Sequence, residues 1–300
     1  MLDNDRIICG DCIEKLKDFD SNFFDLVIAD PPYWKVTREK WDYQWRTEAD
    51  YINWSVKWFR ETYRTLRYGG SFYLFGYFRI LALLVSHLLE LGFDLRQQII
   101  INKGIKAVAG RATKKYRIFP NVTESILFLT KNNINFSRNL LKSRQKALNL
   151  TSRYINESLG VKSNGGGMWS IYTGENICEQ FPTKGIWDRL QAILQFDLPY
   201  EKIAQTFNPE LGITDVWDDI DFYSEKRYHP TQKPLKLIER LIRASSNEGD
   251  IVLDPFGGSG STYIACRRLN RKSITIEINE EYVEKIRQRV SEDSAQLSLF

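Results

Sequence analysis

Short apolar runs alternate with amphipathic stretches through the first 130 residues. RIIC (residues 6–9) and DLVIA (25–29) are short, apolar and β-branched, and each predicts a buried strand; a short helix separates them. Residues 49–66 place Ile52, Val56, Phe59, Tyr63 and Leu66 at helical spacing, and Gly69-Gly70 is expected to end that helix. SFYLF (71–75) reads as a strand, 79–91 as a helix, 95–101 as a strand, and SILFLT (125–130) as another. From 131 to 227 the pattern lapses into polar, Asn-rich sequence with short helical stretches and no strand signal. It returns with strands at 250–253 and 273–278 and helices at 261–269 and 280–290. Strands alternating with helices predict βαβ units, hence a doubly wound α/β domain around a mainly parallel sheet. The expected layout is a catalytic domain in two parts, 1–130 and 226–290, split by an insertion at 131–225, with a flexible tail at 291–300. An insertion of that size is far beyond ordinary loop length.

Charge sharpens the picture. Of the 300 residues, 43% are hydrophobic and 27% charged, and the net charge is only +4. Yet the stretch from Lys103 to Arg153 holds twelve basic residues and a single acid, Glu124, so it carries +11 and the remainder −7. Such a one-signed block favours an anionic polymer as partner. Lys103, Arg111, Lys114, Lys115, Arg117 and Arg144 are the side chains expected to contact a nucleic acid. No apolar run reaches the roughly 18 residues that span a bilayer, and the acidic start MLDNDRIICGD has no apolar signal core, so a cytoplasmic protein is expected. Cys9, Cys12, Cys178 and Cys266 are too scattered for a disulfide scaffold; Cys9 and Cys12 form a CxxC with no second pair, which suggests buried or site-lining thiols rather than a metal site.

Two elbows carry the chemistry. LDPFGGSGST (253–262) is a strand, a glycine-rich turn and a helix start, an arrangement that lets a ligand approach the backbone and free N–H groups. Glu277 follows Gly257 by 20 positions, at the end of the next strand, where a carboxylate can accept from both hydroxyls of a ribose. This pair points to an adenosine-containing ligand and by itself leaves NAD and S-adenosylmethionine both open. The other elbow is IADPPYW (28–34), a strand that stops in an aspartate, two prolines and two aromatics.

Together, DPPY (30–33) and DPFGGSG (254–260) resemble the S-adenosylmethionine-dependent amino-methyltransferases of DNA. Phe256, Gly258 and Gly260 match that family's Phe-x-Gly-x-Gly cofactor motif. GDCIEKL (10–16), RYGGSFYLF (67–75), HPTQKP (229–234) and IEINEEYVEKIRQR (276–289) resemble further family segments. NVTESILFLTK (121–131) resembles its HE-containing strand, with Thr123 where His is usual. The catalytic motif lies N-terminal to the cofactor loop with the insertion between them, an order similar to the family's beta group. The resemblance covers about residues 5–130 and 215–290.

It implies a permuted, seven-stranded Rossmann-like sheet and methyl transfer to an exocyclic amine of a flipped-out base. Asp30 and the carbonyl of Pro31 would accept from the amine, Pro32 would stiffen the turn, and Tyr33 would stack on the base. S-adenosyl-L-methionine would lie against Asp11, Cys12, Asp30, Thr231, Lys233, Asp254, Phe256, Gly257, Gly258, Gly260 and Glu277. No metal is implied. DPPY is more similar to the adenine-N6 enzymes than to the cytosine-N4 ones, which are the alternative; an NAD-dependent oxidoreductase is the alternative from another class. The implied partner is double-stranded DNA, with a second copy of the chain and a cognate restriction enzyme left open. Residues 151–195 have the rhythm of a repressor-type helix-turn-helix, and the closing QLSLF (296–300) is similar to peptides that dock into the replication sliding clamp.

Overall fold

The computed structural model describes residues 6–34, 43–108, 119–160, 167–175 and 177–297. They fall into two units. One holds the chain up to Lys131 and again from Thr206; the other is Asn132–Gln205.

The first unit is built on a sheet. Its strands are β1 (Arg6–Cys9), β2 (Phe24–Ala29), β3 (Leu66–Gly76), β4 (Phe93–Asn102), β5 (Thr123–Lys131), β6 (Val216–Trp217), β7 (Ile251–Asp254) and β8 (Lys272–Glu277). They lie in the order β1-β8-β7-β2-β3-β5-β4-β6. Among the described strands only β5 runs antiparallel, against β3 on one side and β4 on the other. The sheet therefore has eight strands rather than the expected seven, because Val216 and Trp217 add a short parallel edge beside Ile100 and Ile101 of β4. That pairing also moves the end of the insertion: the chain rejoins the sheet unit at Thr206, not near residue 226.

Alternation in β2 shows how the two faces fill. Val27 and Ala29 belong to one core cluster and Leu26 and Ile28 to the other, while Phe24, before a register shift at Asp25, joins the first. The first core packs α1 (Cys12–Leu16), α2 (Glu48–Thr65) and α3 (Phe78–Glu90); the second packs α8 (Leu235–Ser245) and α9 (Ser261–Arg268). The α10 helix (Glu280–Leu297) lies against β1 and β8. Helices on both faces of a mostly parallel sheet make this a doubly wound α/β domain.

Several expectations need correction. Gly69 and Gly70 do not end a helix; they lie inside β3, which begins at Leu66. The α2 helix starts at a reciprocal cap, with Thr47 accepting from the Asp50 N–H and Asp50 from the Thr47 N–H. Its buried face is Tyr51, Ser55, Trp58, Phe59 and Thr62, one step round from the stripe expected, because two large aromatics and two inward hydroxyls outweigh Ile52 and Val56. The α8 helix had no counterpart in the sequence reading, although Leu237, Ile238, Leu241 and Ile242 are its buried stripe. Residues 291–297 continue α10 rather than forming a loose tail, and Ser298, Leu299 and Phe300 lie outside the described residues.

The second unit is helical: α4 (Ile134–Ala147), α5 (Ser152–Ser158), α6 (Gly167–Tyr172) and α7 (Lys184–Leu194). Thr151 caps α5, and Trp169, Trp187, Leu190 and Leu194 fill the interior. Residues 161–166, the turn of the expected helix-turn-helix, lie outside the described residues. The Arg144 guanidinium donates to the Leu194 carbonyl at 2.9 Å and to Gln195 O at 2.5 Å, which closes the end of α7.

Candidate active site

The strands β2, β7 and β8 end on the same side of the sheet, and the segments that follow them line one cleft of about 230 Å3. Gly10, Asp11 and Cys12 come from the turn after β1, Asp30, Pro31, Pro32 and Tyr33 from the elbow after β2, Phe256 and Gly258 from the loop after β7, and Glu277 from the end of β8. Trp54 of α2 and Tyr282 of α10 add aromatic walls. Thr231 lines the same cleft, whereas Lys233, Asp254 and Gly257 lie in a smaller adjoining recess that also reaches Asp30 and Phe256.

The glycine loop is held by its neighbours. Gly257 donates to Ile276 O at 2.8 Å, and Gly258 donates to Glu277 Oε2 at 2.8 Å, while Asn279 donates to Glu277 Oε1 at 2.9 Å. Burial holds the Glu277 carboxyl above the usual carboxylate range although those N–H groups favour the ion. Gly260 caps α9 with φ of 75°, and a Cβ there would lie 2.6 Å from Ile286 Cγ2. At Gly258, with φ of 50°, a Cβ would meet only ordinary contacts, 3.8 Å from Phe256 O and 3.9 Å from His229 Cγ. Asp254 is buried behind the loop and accepts from the Phe256 N–H at 3.0 Å; burial pushes its pKa up to about 7. Asp11 Oδ1 caps α1 by accepting from the Ile13 and Glu14 N–H groups. Burial, with the Asp11 charge beside it, raises the Cys12 thiol far above its usual range, so it is an inert wall.

At the elbow, the Tyr51 hydroxyl donates to Pro32 O at 3.1 Å, and Trp34 Nε1 donates to Trp45 O at 3.1 Å. Trp34 thus packs with Tyr51 beneath the turn (ring centroids 6.5 Å apart) and braces it. Asp30 is the centre of a dense polar cluster. Its Oδ1 is 2.5 Å from the Tyr33 hydroxyl, and its Oδ2 accepts from Lys233 Nζ at 2.6 Å. Lys233 Nζ also lies 2.9 Å from Glu124 Oε1, which is 3.0 Å from the same Tyr33 hydroxyl. One phenol carries one proton, so it donates to one carboxylate at a time. Burial raises the Asp30 pKa, opposed by Lys233 and reinforced by Glu124. For Glu124, burial is outweighed by Lys233 and Lys103, and its carboxyl sits below its usual range. Burial would lower Lys233, but Asp30 and Glu124 more than offset it. His229 is pushed down to about 4, by burial first and then by Lys233 and Lys285, so it is neutral at pH 7.

Glu124 was not among the expected site residues. A signal for it existed: it is the only acid in the basic segment from Lys103 to Arg153. Lys103, expected on DNA, instead points inward, 3.4 Å from Glu124 Oε2, with its side chain 24% exposed. Arg111, Lys114, Lys115 and Arg117 lie outside the described residues.

The comparison with known proteins now decides the family. The sequence profile described as DNA methylase matches residues 24–288, most of the chain. The chain belongs to that family. Among its relatives, the type II methyltransferase M.HpaI of Haemophilus parainfluenzae is 29% identical over 293 residues, covering 96% of this chain and 74% of that one. The DNA adenine methyltransferase YhdJ of Escherichia coli K12 is 28% identical over 290 residues, covering 92% and 79%. Of solved structures, TTHA0409 of Thermus thermophilus, a putative DNA modification methylase, superposes with a TM-score of 0.56 at 25% identity, covering 96% of this chain and 95% of that one. The cytosine-N4-specific PvuII methyltransferase shares the fold at 18% identity (TM-score 0.55, 96% and 90% covered). The protein is thus a DNA methyltransferase, and the oxidoreductase alternative falls away. The methyl donor of this methylase family is S-adenosyl-L-methionine; TTHA0409 has also been solved complexed with it.

Proposed function

We propose that this methylase transfers a methyl group to the N6 amine of an adenine flipped out of double-stranded DNA. The observation that carries the reading is the placement of Asp30: a carboxylate on a proline-stiffened elbow, opening into the same cleft as the glycine loop and Glu277. YhdJ, a DNA adenine methyltransferase, is similar along 92% of this chain, which supports adenine as the base.

The cleft fits the donor. Gly258 presents backbone without a Cβ to the cleft, a carboxylate stands at the end of β8, and aromatic walls flank both. Glu277 would take the ribose hydroxyls, Asp11 and Cys12 would border the adenine ring, and Thr231 would face the methionine end. Phe256 and Gly257 would shape the loop, Gly260 would start its helix, and Asp254 would fasten it from behind. Bound there, S-adenosyl-L-methionine supplies an electrophilic methyl on a cationic sulfur.

An amine conjugated to a purine is a weak nucleophile because its lone pair is delocalised into the ring. Asp30 and the Pro31 carbonyl accept from its two N–H bonds and localise that lone pair on nitrogen. Proline fixes the carbonyl in place beforehand, so no reorganisation is needed in the transition state. Tyr33 meets the face of the flipped base, whose extrusion costs a few kcal/mol of pairing and stacking. Direct displacement by the nitrogen would break the carbon–sulfur bond, leave its electron pair on sulfur, and release the surplus proton of the methylated amine to solvent. No covalent enzyme intermediate is required. The helical unit Asn132–Gln205 would supply target recognition.

Methylome sequencing of DNA from cells expressing the protein tests the proposal. N6-methyladenine in one sequence context is expected. N4-methylcytosine alone would overturn the choice of base, and unmodified DNA beside an active control would overturn the activity.

A further inference from the structure

Asp30, Tyr33, Glu124 and Lys233 come from three separate stretches of chain and close on one another. The side chains of Glu124 and Lys233 are each 7% exposed, and that of Asp30 is 23% exposed. With Asp30 and Glu124 ionised, Lys233 protonated and Tyr33 neutral, these four side chains carry one net negative charge, which Lys103, 3.4 Å from Glu124 Oε2 at the rim, partly offsets. Without Glu124 the cluster would be a neutral Asp30–Lys233 pair. A buried ammonium with a single carboxylate partner binds it closely, and an oxygen so engaged is a poor acceptor for a neutral amine.

We propose that Glu124 is a positioning residue for methyl transfer: by sharing the Lys233 ammonium, it leaves Asp30 with the negative charge and acceptor strength that the target amine requires. The inference rests on Asp30 being the acceptor of that amine. Nitrogen gains positive charge as its bond to carbon forms, and a cluster with a net negative charge stabilises that change where a neutral pair would not. Glu124 is suited to the task because it stands at the second position of β5, paired with Ile101 of β4 and one residue before the pairing with β3 begins at Ser125. Its position is set by the sheet, not by a loop.

The other charged groups around the cluster act in known directions. Lys103 reaches Glu124 Oε2 from the rim and draws Glu124 partly away from Lys233. Asp254, its pKa pushed up to about 7, adds only part of a like charge behind Asp30, and His229 is neutral at pH 7. Removing the charge of Glu124 takes a like charge away from Asp30 and gives Asp30 undivided possession of Lys233, so both effects lower its pKa. Removing the charge of Lys103 does the reverse.

The test follows the Asp30 carboxyl by 13C NMR titration, in protein without DNA or donor, alongside turnover and donor affinity by calorimetry. Glu124→Gln should move the Asp30 titration down by about one pH unit. It should lower kcat about 10- to 100-fold and leave donor affinity unchanged. Lys103→Met, a rim substitution that leaves the buried cluster whole, should move the same titration upward. An Asp30 titration that stays in place in both variants would overturn the inference. So would a Glu124→Gln variant with wild-type kcat, or one that loses melting temperature, donor affinity and turnover together, which would mark a structural role. Asp30→Ala separates the layers: turnover surviving in that variant would sink the reading of Asp30 itself, whereas an inactive Asp30→Ala beside an unaffected Glu124→Gln would sink only the role of Glu124.

Discussion

Gly257 offers a stringent test of how the cofactor loop is seated. Its backbone is not left-handed, so an alanine there meets no torsional penalty; the obstacle is space. A Cβ would stand 2.6 Å from Thr275 Cγ2 and 3.2 Å from Ile286 Cδ1. Ordinary carbon–carbon contact is about 3.5–4.0 Å, so about 1 Å must be found between the loop and β8. Thr275 is fully buried in that strand and its hydroxyl is 3.1 Å from that of Ser273, so it cannot swing aside. Overpacking of this kind costs about 1–3 kcal/mol, or a few degrees of melting temperature for a domain this large. The same displacement would carry the Gly258 N–H away from Glu277 and weaken donor binding.

Thr275→Ser keeps the hydroxyl and deletes the obstructing methyl, at about 1 kcal/mol on its own. In the double variant the alanine methyl occupies the space vacated, so its stability should match that of Thr275→Ser alone. The favourable coupling would then equal the cost of the alanine alone, about 1–3 kcal/mol. Thermal unfolding and calorimetric titration of the donor on all four proteins measure it. Additive losses in the double variant would refute the account of a single steric conflict.

Other outcomes are expected. Asp30→Ala should keep donor and DNA binding while turnover falls by on the order of 10²-fold or more, read by equilibrium binding and single-turnover kinetics; equal loss of all three would point to a structural role. Asp254 has its folded pKa raised from 3.8 to about 7. The folded state therefore binds the extra proton between those values, and the stability this contributes is lost as pH rises towards and through 7. Asp254→Asn should consequently gain stability over the wild type progressively from pH 4 to pH 8 in thermal unfolding, and a gain independent of pH would contradict the assignment. Deleting residues 296–300 should abolish binding to a purified sliding clamp while methylation is retained; clamp affinity that is unchanged would end that proposal.

The strands were legible because their apolar runs are short, β-branched and bounded by turns. The two elbows were legible because proline and glycine are needed where a backbone must be fixed or bare. What escaped was set by tertiary context. Ser55 and Thr62 count as polar in any periodicity, yet both point inward from α2. Val216 and Trp217 are too few to register as a strand and exist only because β4 has an open edge. Arg144 and Lys103 contribute to a basic block on paper, but one closes the end of a helix and the other reaches a buried acid from the rim. Glu124 is separated from Asp30 by 94 positions and from Lys233 by 109, so no local pattern joins them.

The position of β1 has a consequence for how the protein is made. Among the described strands, the first to be synthesised pairs only with β8, through Arg6↔Ile274 to Cys9↔Glu277. Likewise, β2 meets β7 at Leu26↔Val252 and Val27↔Leu253. At a ribosomal rate of about 5–20 residues per second, these N-terminal strands wait some tens of seconds for their partners. A nascent chain thus presents the Asp30 elbow long before the glycine loop and Glu277 that would complete the proposed site.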